Sequence, residues 1–183
     1  MTPFERALSI VLGHEGGDTI TDDPRDAGGL TKWGISQVNH PTVDVRNLTR
    51  EGAAAIYRAD YWDPCQCDEL PAPVALCVFD SAVNQGIWAA ARMLQAAVGA
   101  ETDGKIGPKT LAAVARYPVG ALVRRFMVER AHKYISLGGF AAFGRGWIAR
   151  TIAVTVDAIE WAHESKPAGG TTGEWHGITD ADG

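Results

Sequence analysis

From Thr49 onward the chain is a succession of segments whose apolar residues recur at helical spacing, each cut off by glycine or proline. Thr49 suits an N-cap for a helix running to about Asp60, with Ala53, Ile56 and Tyr57 on its inner face. Pro71 and Pro73 interrupt the pattern, which resumes over Val74–Gln85 and Ile87–Val98, divided by Gly86. A turn at Thr102–Pro108 precedes three more segments, at about Lys109–Arg116, Val119–Leu137 and Arg145–His163. Short amphipathic helices cannot stand alone and have to bury their stripes on one another. The expected fold is therefore mostly α. With 183 residues, 46% of them hydrophobic, the chain can fill one core without disulfides or a structural metal.

The N-terminal end has its own helix signal. Phe4, Leu8, Val11 and Leu12 share a face. Thr2 reads as the N-cap, Pro3 takes the first helical position, and Glu5 completes a capping box. The helix is expected to stop at Gly16-Gly17. Residues 17–31 are rich in Asp, Gly and Pro and read as a loop or short hairpin, with short strands at Asp18–Thr21 and Lys32–Ile35. From Lys166 the chain is rich in Gly, Thr and Asp with no apolar period, and residues 166–183 are expected to form a flexible tail.

Several classes are disfavoured. Cys65, Cys67 and Cys77 are an odd number, and the C-x-C spacing is too short for an unstrained bridge, so they read as small buried residues or free thiols. No run of apolar residues is long enough to span a membrane. Glu5 stands where an export signal needs positive charge, and the apolar run from Ala7 to Leu12 is short and holds a serine; synthesis in the cytoplasm is expected. Residues 1–103 carry 7 Lys/Arg against 15 Asp/Glu, whereas residues 104–150 carry 9 against 1. That basic stretch is either a solvated helix face or an attractor for an anionic polymer, nucleic acid and peptidoglycan being the candidates.

Glu15, in Gly13-His14-Glu15-Gly16-Gly17, is the residue with the most chemical content. A carboxylate at a helix C-terminus opposes the macrodipole, and the local field together with any burial raises its pKa, as a general acid requires. A solvated surface glutamate is the alternative. Asp18, Asp22, Asp23 and Asp26 follow, then Thr31, and an acid facing a second carboxylate or a held water is what glycoside hydrolysis uses. Asp and Thr are also ordinary turn residues. The acidic run lacks the spacing and terminal Glu of a calcium loop. His14-Glu15 begins an H-E-x-x-H pattern that fails because position 18 is Asp. There is no G-x-S-x-G.

These residues also carry a likeness. Glu15-Gly16-Gly17, followed by Asp22-Asp23-Pro24-Arg25-Asp26-Ala27-Gly28-Gly29-Leu30-Thr31-Lys32-Trp33-Gly34-Ile35-Ser36, resembles the signature of glycoside hydrolase family 108. The likeness continues through Leu48-Thr49-Arg50-Glu51, Ile56-Tyr57-Arg58, Tyr61-Trp62-Asp63-Pro64 and Phe79-Asp80-Ser81-Ala82-Val83-Asn84-Gln85-Gly86. Asp103-Gly104-Lys105-Ile106-Gly107-Pro108 and Gly144-Arg145-Gly146-Trp147-Ile148-Ala149-Arg150 are similar to the family's C-terminal part, described as peptidoglycan-binding. One departure is Asp18, where the family has an aromatic residue.

The resemblance implies a lysozyme-like single helical domain over residues 1–165, with a catalytic part in 1–85 and a peptidoglycan-binding helical part in 86–165. It implies a muramidase, of the kind found in phage endolysins, that cuts the β-1,4 bond between N-acetylmuramic acid and N-acetylglucosamine. Glu15 carries over as the catalytic acid, and Asp23, Asp26 and Thr31 as members of the active-site loop. Trp33 and Trp88 are candidates for stacking on sugars, as are Trp62 and Trp147, although a tryptophan in a helical domain is more often core. Asn84 and Gln85 are candidates for hydrogen bonds to N-acetyl groups. Arg124, Arg125, Arg130 and Lys133 are expected on one helix, where they could meet anionic peptide stems. The expected partner is peptidoglycan, met after release through a separate membrane pore; no cofactor, metal, nucleic acid or membrane insertion is expected, and the chain is expected to be a monomer. A lytic transglycosylase or a non-catalytic wall-binding module stays open as a rival.

Overall fold

The computed structural model of the protein describes residues 1–14, 19–22 and 29–165. Its elements are α1 (Pro3–His14), β1 (Thr31–Lys32), β2 (Ile35–Ser36), α2 (Arg50–Tyr57), α3 (Ala72–Gln85), α4 (Ile87–Val98), α5 (Pro108–Val114), α6 (Val119–Ile135) and α7 (Phe140–Glu164). The mostly α architecture with a short hairpin near the N-terminus is the one expected. The helix stop at Gly16-Gly17 and the tail from Lys166 lie outside the described residues.

The capping box forms as read: Thr2 N–H donates to Glu5 Oε2 at 2.8 Å and Glu5 N–H to Thr2 Oγ1 at 3.2 Å. The bond from the Thr2 backbone N–H does most to hold the Glu5 carboxyl below its ordinary value. Phe4, Leu8, Val11 and Leu12 are all buried. Thr49 caps α2, accepting from Gly52 N–H at 3.1 Å. Beyond Tyr57 the helix widens into a π-helical turn, Arg58–Trp62, so the expected continuation to Asp60 is not α-helical. That turn seats Trp62, fully buried, among Phe4 and Phe79, with ring centroids 5.2 and 5.4 Å away in edge-on geometry.

α3 is the axis of the molecule. Pro73 to Ala82 are buried without interruption, as they are for a helix covered on every side. It packs against α1, α4, α6 and α7. The apolar core runs from Phe4 to Trp161 and draws on residues of every helix. Cys65, Cys67 and Cys77 are buried and unbridged, and burial pushes the Cys77 thiol up to about 12.

One expectation near the N-terminus is corrected. Lys32–Ile35 is not a strand but the corner of a hairpin, in which Lys32 pairs with Ile35 and Thr31 with Ser36. The two corner residues, Trp33 and Gly34, have φ of 56° and 72°. This is the geometry of a type I′ turn, whose twist matches that of the strands it joins. Thr21 adds a further rung, exchanging backbone bonds of 3.0 and 2.8 Å with Thr31. Trp33 and Gly34 are not the Asn-Gly pair that announces such a turn, so the pattern did not reveal it.

The two ends of the described chain are tied across the surface. Arg6 bonds Glu164 in two-pronged fashion and lies 4.5 Å from the centre of the Trp161 ring. The guanidinium holds the Glu164 carboxyl below its ordinary value. A depressed pKa in the fold gives stability above the unfolded pKa that disappears as pH falls through the folded one. Glu164→Gln should therefore lower the urea midpoint at pH 7, and the difference from wild type should shrink to nothing on acidification. A gap that persists at low pH would assign the effect to packing.

Candidate active site

Asp80 lies in the middle of α3 with no exposed surface, and a charge placed there requires partners. Arg150, from α7, supplies a two-pronged contact: Nε and Nη2 donate to Oδ1 at 3.0 and 2.8 Å. Arg130, from α6 and also fully buried, places Nη2 2.6 Å from Oδ2. Arg130 Nη2 reaches on to the Tyr134 hydroxyl at 3.4 Å, and that hydroxyl donates to Asn84 Oδ1. Trp147 stacks on Tyr134 with centroids 5.0 Å apart. The chain of contacts thus runs from the core to Asn84, which is exposed near the C-terminal end of α3.

Arg150 also faces outward. With Ala149, Ala153 and Gly146 of α7 and His14 of α1 it lines a cavity of about 400 Å³. His14 is the last residue of α1, and Glu15 follows it in the chain. Gly146 has open space where a side chain would project.

The hairpin brings the next group of residues. Thr31 is half-buried, and its hydroxyl donates to the Gly29 carbonyl at 3.1 Å, leaving the oxygen lone pairs to accept from another donor. Trp33 takes a left-handed conformation that a bulky residue adopts only under constraint. Tyr57 supplies part of that constraint by donating to the Trp33 carbonyl at 3.0 Å. The Trp33 indole N–H is out of solvent with no partner among the described residues. Asp22, the one residue of the acidic run that is described, is bonded by Arg46 at 3.0 Å.

A second concavity, of about 700 Å³, lies where the α3–α4 junction meets α6; Gln85, Trp88, Arg92, His132 and Lys133 are among its walls. Gln85 and Trp88 are thus brought together on one groove, and Asn84 adjoins them in sequence. Thr31 and Trp33 are on the hairpin instead. Glu15, Asp23 and Asp26 lie outside the described residues. Trp62 is core and does not face a ligand. Among the basic residues expected on one helix, Arg130 is corrected: it is sealed in the core by Asp80. Arg125 is engaged with the Ala97 carbonyl at 2.6 Å, so Arg124 and Lys133 are the exposed cations whose charge the described contacts do not engage.

Sequence reasoning assigned no role to Asp80 or Arg150. A signal was there: an Asp on an otherwise apolar helix needs a buried cation. Asp80→Ala leaves two arginines without their shared counter-ion and should cost about 3–5 kcal/mol in urea unfolding. A loss below about 1 kcal/mol, the size of an exposed pair, would show that the arginines find water instead.

Comparison with known proteins bears on all of this. Residues 8–86 match the family described as glycosyl hydrolase 108, and residues 89–152 match the family described as "Predicted Peptidoglycan domain". No curated protein matches the chain. Among solved structures, SagA of Brucella abortus is similar at 35% identity and a TM-score of 0.77, over 88% of this chain and 97% of that one. With these two matches in series and a solved relative spanning both, the chain belongs to the glycosyl hydrolase 108 family and is a glycoside hydrolase acting on peptidoglycan.

Proposed function

We propose that the enzyme is a muramidase, hydrolysing the β-1,4 bond between N-acetylmuramic acid and N-acetylglucosamine with Glu15 as general acid. The observation that carries this reading is the cavity at the end of α1: its wall includes His14, the residue before Glu15, and an arginine locked in place by a buried carboxylate. A reacting group needs such fixed surroundings, since small displacements cost large factors in rate.

In this reading Glu15 protonates the leaving glycosidic oxygen as the bond breaks. Asp23 or Asp26 stabilises the oxocarbenium-like transition state or takes the proton of the attacking water. Thr31 accepts a hydrogen bond from that water, its own proton being engaged with Gly29. Trp33 and Asn84 contact the sugars. Arg150 acts as a positioning residue, a rigid polar wall held in place by the Asp80 carboxylate that it shares with Arg130. The setting we infer is that of an endolysin, made in the host cytoplasm and admitted to the wall by a separate pore.

Glu15→Gln tests both levels. On permeabilised cells it should lower the clearing rate by about 10²- to 10⁴-fold, the usual contribution of a general acid. Wild-type products should carry reducing N-acetylmuramic ends; anhydro ends would instead make the enzyme a lytic transglycosylase. In cells, wild type co-expressed with a pore-forming protein should lyse the culture and the variant should not. Normal clearing by the variant removes Glu15 from the mechanism.

Gly146→Leu probes the cavity itself. Replacing glycine inside a helix raises stability by up to about 1 kcal/mol. The new side chain would fill space next to Arg150, so turnover should fall at least about tenfold, or about 1.4 kcal/mol of barrier, while the melting temperature holds or rises. Unchanged turnover would mean that the substrate does not enter there.

A further inference from the structure

The groove beside α4 has features that the hydrolytic step does not use. Trp88 is 59% exposed, yet its indole is held. The Arg92 guanidinium lies 4.5 Å from the ring centre. The backbone at Gly104 packs on the five-membered ring so closely that a Cβ there would come within 2.4 Å of Cδ1 and Nε1. Gly104 has φ of 79° and belongs to a turn tied down by Gln95, a residue 1% exposed. Gln95 Nε2 donates to Asp103 Oδ1 at 2.7 Å and to the Lys105 carbonyl at 3.0 Å, and its Oε1 accepts from Gly104 N–H at 2.9 Å. A buried amide therefore builds the turn, and the turn braces an aromatic ring that remains open to solvent. A ring exposed by accident needs no such bracing.

The same groove contains an amide with nothing to bond. Gln85 Nε2 and Oε1 are both out of solvent contact and have no partner among the described residues. Leaving one such group unpaired is costly, and Gln85 leaves a donor and an acceptor together. An acetamido group offers the complement, a carbonyl for Nε2 and an N–H for Oε1. An indole face offers the complement of a pyranose ring's apolar face. Arg92 and Lys133 outnumber Glu129 on the walls, which suits a polymer bearing carboxylates.

We propose that this groove is a glycan subsite, taking a 2-acetamido sugar with its ring on Trp88 and its acetamido group on Gln85. The assignment rests on the reading of the protein as a peptidoglycan hydrolase, and adds a hold on the strand lined by other residues than the cavity of His14 and Arg150. It gives the α4–α6 half of the molecule a defined ligand and a defined point of contact.

Calorimetric titration of the full chain carrying Glu15→Gln tests the assignment without turnover, with chitotetraose as probe and cellotetraose, which lacks acetamido groups, as comparator. Adding Trp88→Ala should weaken chitotetraose binding by at least about tenfold, and Trp88→Phe, which keeps a ring, by much less. Adding Gln85→Leu should remove the preference for chitotetraose over cellotetraose. Thermal melts matching the parent establish that each variant is folded. Chitotetraose binding that is absent in the parent, or indifferent to both Trp88→Ala and Gln85→Leu, overturns the subsite. Equal weakening by Trp88→Ala and Trp88→Phe overturns the stacking geometry. Because binding is read and not cleavage, failure of Glu15 as the acid would show in the clearing assay and leave this result standing.

Discussion

A single carboxylate at the centre of α3, with an arginine on each side, organises the helices around it. Asp80 Oδ1 is held by Arg150 and Oδ2 is 2.6 Å from Arg130, so α6 and α7 are each keyed to α3 at one level along its axis. An ion pair in a low-dielectric interior is not a cheap source of stability, because desolvation consumes most of what the Coulomb attraction supplies. Here Arg130 even keeps Nε and Nη1 without partners among the described residues, a further cost. What the triad does supply is register: apolar side chains permit helices to slide by small amounts, whereas a two-pronged guanidinium–carboxylate contact permits one alignment.

That register reaches the surface in two directions. Through Arg150 it shapes the cavity at the end of α1. Through Arg130, Tyr134 and Asn84 it fixes the last turn of α3, next to Gln85 and the α4 groove. The two concavities therefore share a support, although they are lined by different helices. The hairpin is pinned separately, by Tyr57 to the Trp33 carbonyl and by Thr21 to Thr31.

Much of this was legible in the residues. The Thr2–Glu5 capping box, the Thr49 cap and the break at Gly86 are local devices, and local devices are read from a few neighbouring side chains. The family resemblance was legible for the same reason, since its motifs are short and ordered along the chain. The type I′ corner at Trp33-Gly34 was not, because a tryptophan in the left-handed region contradicts its own preference and is held there by Tyr57, a residue of another element. The π-helical turn after Tyr57 was hidden likewise: the segment to Asp60 reads as a continuing α-helix, and the packing of Trp62 on Phe4 and Phe79, residues of other elements, accompanies the wider turn.

By itself the sequence determined the helix inventory, the family and the candidate acid, because each depends on residue type and spacing over short distances. Only the tertiary structure decided which charges are available. Arg130 and Lys133 are three positions apart on one helix, yet one is sealed against Asp80 and the other is exposed on a groove wall. It also decided that Trp62 is core while Trp88 is braced in the open. Burial is a property of what other segments bring to a residue, and long-range packing of α1, α6 and α7 on α3 is not written in any window of the chain.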